Sequence, residues 1–217
     1  MMLSNADDGL GPPPPIAYDG IAASREADHR IANSLQLVSA LLSSEGRGVR
    51  DPIARAALDV CVQRIGAIAG IHRQLYASPE SGGVDLCAYL VDLVGRLQSS
   101  FSCDRRQRPI HLEADPSTAS GDFASGVGII VTELVINACK HAYLPDQEGD
   151  IEVIWEVDAN EGFSLEVRDR GRGRVEREPD GGLGSRIVEL MARKLDAEGR
   201  YVPRGTGTTF VMTGNLG

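Results

Sequence analysis

The sequence predicts an α+β chain. An N-terminal helical hairpin, paired with a second copy as a dimeric four-helix bundle, precedes an α/β sandwich with helices on one face of a mixed sheet. Two observations carry this. Between Ile21 and Leu75 apolar residues recur at alternating spacings of three and four, with one glycine-rich interruption. Beyond residue 84, helical spacings and alternating strand patterns follow one another in mixed order.

Residues 1–20 read as a flexible lead, in which Pro12 to Pro15 form a short polyproline stretch with no core to join. The first seam runs Ile21, Ser24, Asp28, Ile31, Leu35, Val38 and Leu42. Gly46 and Gly48 are expected to break this helix, and Asp51 and Pro52 to start the next one as cap and first-turn proline. The second seam runs Ala54, Leu58, Cys61, Ile65, Ile68, His72 and Leu75. One hairpin cannot enclose both stripes, whereas two hairpins make a four-helix bundle, so a homodimer is expected. The helical unit spans 21–78, and Pro79 to Gly83 reads as a hinge. The sandwich spans 84–217. In it, Asp85 to Phe101 is a helix, Pro109 to Leu112 a strand and Phe123 to Tyr143 a long buried helix. Ile151 to Val157 and Phe163 to Asp169 alternate as a strand pair. A glycine-rich loop at Gly171 to Gly184 leads into a helix at Leu183 to Leu195, and strands at Gly199 to Pro203 and Thr208 to Thr213 complete the sheet.

Composition narrows the function. The chain has 22 Lys and Arg against 31 Asp and Glu, a net charge of -9, which disfavours wrapping nucleic acid or lying on an anionic membrane. With 42% hydrophobic and 24% charged residues it is an ordinary globular mixture. No run approaches the roughly 18 apolar residues of a membrane span. The N-terminus lacks the basic start and apolar centre of a secretory signal. Cys61, Cys87, Cys103 and Cys139 are scattered without a C-x-x-C pair, as expected for free thiols in a reducing cytoplasm. A P-loop, a dinucleotide fingerprint, a nucleophile elbow and an H-E-x-x-H motif are all missing.

Five stretches carry candidate chemistry. In Asp28-His29-Arg30 a largely neutral imidazole stands at the edge of the bundle as a nucleophile. Asp28 could take or hold its proton, and Arg30 could steady phosphate oxygens; the three also read as a solvated helix face. Glu133, Asn137 and Lys140 recur at four and three on one face of an otherwise apolar helix, with His141 beside them. Such polar groups need a partner, and an Asn carbonyl suits Mg²⁺, while Lys140 and His141 could meet phosphate; a capping or core network is the alternative. Asp169-Arg170-Gly171-Arg172-Gly173 ends a strand, where a carboxylate can accept from an exocyclic amine or simply close a turn. Gly182 and Gly184 open a helix whose N–H groups suit phosphate. The polar stretch before them reads as a mobile lid. Gly207-Thr208 enters a strand with a hydroxyl available to a ring nitrogen or water, or is an ordinary edge.

In this order the stretches resemble a bacterial sensor histidine kinase core, in the subfamily whose phosphoacceptor box reads H-R-x-x-N-x-L-Q and which is related to the HWE kinases. The box here is His29-Arg30-Ile31-Ala32-Asn33-Ser34-Leu35-Gln36, and the similarity extends over about residues 21–213, including Ala69 to Tyr76. The second half resembles the GHKL fold of gyrase and Hsp90. The resemblance implies an ATP-dependent protein histidine kinase of a two-component system. It implies His29 as phosphoacceptor, Asn137 as Mg²⁺ ligand with Glu133 as polarising carboxylate, and Lys140 and His141 on phosphates. Asp169 would contact adenine beside Gly171 and Gly173, Gly182 and Gly184 would shape the phosphate side, and Thr208 would support the adenine contact. ATP and Mg²⁺ are the implied cofactors, and a response regulator receiver domain the implied partner. Ala32, Ser34, Arg174 and Asp196-Ala197 depart from the usual pattern, and the lid is short. Two other readings stand beside this one. The chain could be a non-catalytic phosphotransfer or docking module with a degenerate nucleotide domain. It could also be a GHKL serine kinase acting on an anti-sigma partner, which would leave His29 without a role.

Overall fold

A computed structural model describes residues 18–75, 83–101, 108–144, 147–173, 182–202 and 206–216; of 18–29, 67, 71–75 and 101 it describes the backbone only. The expected hinge before Gly83, the lid at 174–180 and Cys103 lie outside the described residues.

Helix α1 spans Tyr18–Gly48 and helix α2 Pro52–Leu75. The first helix starts three residues before the expected Ile21, because Tyr18 continues the seam by one more spacing of three. Gly46 does not break it. The residue is buried inside α1, and a Cβ there would stand 4.0 Å from Leu58 Cβ, so its small size lets α2 approach. The restart is as expected: Asp51 Oδ1 accepts from Ile53 N–H at 2.8 Å, one residue past Pro52. Across the hairpin, Ser39 Oγ donates to the Val62 carbonyl at 3.5 Å. Apolar Ile31, Leu37, Val38, Leu41 and Ile53 stay exposed on this unit.

The second half is a five-stranded sheet in the order β2-β4-β5-β7-β6. The strands are β2 (Ile110–Ala114), β4 (Ile151–Val157), β5 (Gly162–Asp169), β6 (Glu198–Val202) and β7 (Thr208–Asn215). Only the β2–β4 pair is parallel, so the sheet is mixed. Helices α3 (Leu86–Phe101), α4 (Gly121–Asn137) and α5 (Leu183–Lys194) share one core with its inner face. Sequence patterning missed a separate ribbon in which β1 (Val84–Asp85) pairs with β3 (Thr118–Ala119). Two residues are too few to show an alternation.

Strand alternation sets what faces the core. Ile151, Val153 and Trp155 of β4 point inward, as do Phe163, Leu165, Val167 and Asp169 of β5. Trp155 stacks on Phe163 at 5.0 Å, and Phe123 of α4 meets Phe163 edge-on at 5.3 Å. Helix α4 is apolar nearly all round, the signature of a helix enclosed on every side. Ser120 caps it by accepting from Phe123 N–H at 3.2 Å. The segment Gly121–Ala142 is long and apolar enough to cross a membrane by length and composition, yet 78% of that apolar window is buried within the fold. The segment does not end as an α-helix. A π-helical turn, Ala138–Ala142, follows Asn137.

Candidate functional site

Three elements converge on the last turns of α4: the end of β5 with the start of β7, the N-terminus of α5, and helix α2.

At the end of β5, Asp169 is the inward residue after Val167 and is 9% exposed. Its register partner on β7 is Thr208. Asp169 Oδ1 accepts from the N–H of Gly171 at 2.9 Å and from the N–H of Thr208 at 3.2 Å. Both bonds fall on one oxygen, and a carboxylate has about four acceptor sites, so Oδ2 retains capacity for an amine. Thr208 thus meets Asp169 through its amide, not through the hydroxyl expected from sequence. The turn after Asp169 is shaped by glycines. A Cβ at Gly171 would lie 2.0 Å from the Ala142 carbonyl oxygen, and one at Gly207 would lie 1.9 Å from the Asp169 carbonyl oxygen. Gly173 and Gly207 also have φ of +78° and +88°, a region that favours glycine. Arg172 ties this loop to the π turn, donating from its backbone N–H to the Ala142 carbonyl at 2.8 Å and from Nε to the His141 carbonyl at 2.8 Å.

The π turn is fixed from outside as well. Arg108 donates to the Cys139 carbonyl through Nη1 and to the Leu144 carbonyl at 3.4 Å through Nη2, placing a cation at the helix C-terminus. Its guanidinium lies 5.3 Å from the Tyr143 ring centroid. Tyr143 accepts from Arg170 N–H at 3.0 Å and donates to the Asp150 carbonyl. Burial pushes the Cys139 thiol up to about 11.

At the other end, Glu133 is 2% exposed and Asn137 is half-buried. Gly184 of α5 approaches both. A Cβ on it would stand 2.7 Å from Glu133 Oε2 and 3.4 Å from Asn137 Nδ2. Gly182 precedes α5 as a cap with no side-chain acceptor, so the first turn has no side-chain partner for its N–H groups. Burial raises the pKa of Glu133, and the nearby Arg64 guanidinium opposes that shift. Lys140 is half-buried on the same face. Burial lowers its pKa, Arg64 lowers it further, and Asp59 and Cys61 of α2 act in the opposite sense. His141 is exposed.

Arg64 is the residue the sequence did not reveal. It lies on α2 between seam positions, and its Nη2 stands 2.6 Å from Glu133 Oε2. Nothing in the local pattern around either residue signals the other.

Asp28 and His29 lie on α1 in the region where only the backbone is described, and Arg30 is exposed. The hairpin is antiparallel, so the Ser39–Val62 bond sets levels along it. Position 29 is then level with position 72, and Arg64 is level with position 37. The offset is roughly 12 Å along the axis. The site on α4 therefore meets α2 well below the level of His29.

Chemically, the described geometry provides a carboxylate acceptor at one end. At the other it provides a buried acid, an amide, a half-buried lysine and a helix N-terminus. Mg²⁺ takes oxygen ligands and keeps several waters and substrate phosphates, so it needs only one or two protein donors. Glu133 Oε2 is buried and lacks a well-aligned hydrogen bond, and the Gly184 cradle leaves space in front of it. These residues fit such an ion. Among the described residues there is no cluster of three or more His, Cys, Asp or Glu, as expected if the ion enters with a phosphate ligand.

Comparisons with known proteins agree with this geometry. A family model described as histidine kinase matches residues 26–101, and one described as histidine kinase-like ATPase domain matches residues 111–213. The chain is 27% identical over 191 residues to blue-light-activated histidine kinase 2 of Erythrobacter litoralis, covering 84% of this chain and 54% of that one. It is 32% identical over 197 residues to the sensor histidine kinase PdtaS of Mycobacterium tuberculosis, covering 88% of this chain and 39% of that one. It therefore spans about half or less of these curated relatives. The solved histidine kinase domain of the Erythrobacter litoralis EL346 blue-light-activated kinase shares the fold, with a TM-score of 0.66 and 24% identity over 89% of this chain and 94% of that one. A helical histidine kinase module joined to a GHKL-like ATPase domain, matched in order along one sequence, places the chain in the histidine kinase family.

Proposed function

We propose that this chain is an ATP-dependent protein histidine kinase that phosphorylates His29 and passes the phosphoryl group to an aspartate on a response regulator receiver domain. The observation that carries the reading is the pairing of two ends along one helix. Asp169 and its glycine turn abut the π turn of α4, while Glu133 and Asn137 face Gly184 of α5 one to two turns earlier. That separation suits a nucleotide lying along α4 with its base amine on Asp169 and its phosphates toward α5.

In this reading Asn137 and Glu133 hold Mg²⁺, which neutralises charge on the triphosphate. Lys140, His141 and the first turn of α5 bind phosphate oxygens through charge and free N–H groups. Gly182 and Gly184 keep that wall open. A neutral His29 nitrogen attacks the γ-phosphorus; the N–P bond forms as the bond to the β–γ bridging oxygen breaks, and ADP leaves. Asp28 takes or holds the ring proton and Arg30 steadies the phosphoryl oxygens. Positioning and electrostatics supply most of the acceleration in such transfers. We assign residues 21–78 to dimerisation and phosphotransfer and 84–217 to nucleotide binding. The exposed apolar residues of the hairpin support a homodimer. A cytoplasmic site of action goes with these substrates.

The test is incubation of the dimer with labelled ATP and Mg²⁺. The expected label survives base, is lost in acid, and is missing from His29→Ala. Equal labelling of that variant overturns the assignment. Gly171→Ala is expected to lose nucleotide binding, because its methyl group would collide with the Ala142 carbonyl; nucleotide-dependent thermal stabilisation measures this.

A further inference from the structure

We propose that Arg64 is a latch residue of the nucleotide site. It holds helix α2 over the metal–phosphate end in a resting arrangement, and a Mg²⁺–nucleoside triphosphate must displace it from Glu133. This rests on the ATP reading above.

Four observations converge. First, Arg64 Nη2 lies 2.6 Å from Glu133 Oε2, an ion pair between the phosphotransfer hairpin and the buried acid of the sandwich. A guanidinium and a divalent cation cannot both occupy the open side of that oxygen. Second, the pair is incompletely satisfied. Arg64 Nε and Glu133 Oε2 are both buried without an aligned hydrogen-bond partner, as is Gln63 Oε1 on the adjoining α2 residue. A buried ion pair with unmet donors and acceptors contributes little net stability, yet removing one member strands the other. Such a pair is well suited to exchange one cation for another. Third, Arg64 stands where phosphate would approach. Its Nη2 is 3.0 Å from the point a Cβ would take on Gly184, at the first turn of α5. The same helix turns Asp59 toward the field of Lys140, so α2 presents a base to the acid and an acid to the base. Fourth, the arrangement is off the line of transfer, since Arg64 and His29 are offset by roughly 12 Å along the hairpin axis. Reaching His29 requires the sandwich to leave this contact and move along or across the stalk. A triphosphate that ejects Arg64 from Glu133 thus couples filling of the site to release of the stalk.

The experiment uses the full chain, a non-hydrolysable ATP analogue with Mg²⁺, and three proteins: wild type, Arg64→Met and Arg64→Lys. Affinity is read by calorimetry, and exposure of the α2 backbone over residues 59–68 by hydrogen exchange. Circular dichroism checks folding, and Arg64→Lys preserves the charge should Arg64→Met lose structure. Expected are a several-fold gain in affinity for Arg64→Met, a value near wild type for Arg64→Lys, and faster exchange over 59–68 in wild type once the analogue is bound. Equal or weaker affinity for Arg64→Met overturns the latch. So does unchanged α2 exchange on saturation. Binding by none of the three proteins overturns the ATP reading instead.

Discussion

In the sandwich, Trp155, Leu165 and Met212 are enclosed almost completely, whereas in the hairpin Leu37 and Leu41 remain 62% and 57% exposed. The sandwich completes its core within one chain. Three helices cover one sheet face, and Phe123, Trp155 and Phe163 interlock between them. The hairpin has two helices and no third layer, so its apolar surface needs a second copy or a docked partner. The contrast teaches where stability and function reside. One half is a finished fold that positions a site, and the other is an unfinished surface built for assembly. Alongside the experiments above, four measurements break or sharpen this contrast.

The largest effect is expected at the centre of the sandwich. Trp155→Ala removes a stacked indole and its donor bond to Ser117 Oγ, and should cost about 3–5 kcal/mol in urea unfolding. A loss confined to the hairpin signal would contradict the division. Next comes Cys139. Its folded thiol keeps its proton to about 11, above the ordinary value of 9.0, so between these pH values the folded state binds the proton that the unfolded state releases. Stability therefore falls as pH rises across that window, by up to ~3 kcal/mol from this group. Cys139→Ala should flatten that part of the curve relative to wild type. Asp51→Ala removes the cap of α2 and should cost about 1 kcal/mol, read as lost helicity in the hairpin. Smallest for folding is Leu41→Lys, within about 0.5 kcal/mol because the site is exposed. It should nonetheless shift dimer to monomer in sedimentation, and an unshifted dimer would move the interface elsewhere.

Much of this was legible in the sequence, for local reasons. The seams gave both helices, Asp51-Pro52 gave the restart, and the alternation through Phe163, Leu165 and Val167 put Asp169 on the inner face at a strand end. Glu133 and Asn137 were legible because polar residues on a buried apolar helix stand out. What was not legible depends on distant pairing. Arg64 lies on one helix and Glu133 on another far along the chain, and each looks ordinary among its neighbours. Gly46 looked like a breaker because composition cannot distinguish a stop from a site of close approach. The backbone role of Thr208 was hidden because register, and not side-chain type, creates that bond. His29, the residue on which the sequence reading leans most, is described only through its backbone.

The π turn at Ala138–Ala142 has a consequence for how the site tolerates insertion and deletion. Glu133 and Asn137 ride on the regular screw of α4, while Lys140 and His141 ride on the wider coil that follows. Excising one residue from that coil would return it to the tighter pitch and swing everything downstream by roughly 100°. The acid and the amide would keep their azimuth while the lysine and histidine lost theirs. The two halves of the phosphate-facing wall are thus indexed separately, and a single-residue change in chain length between them would put them out of phase without changing any side chain that touches the ligand.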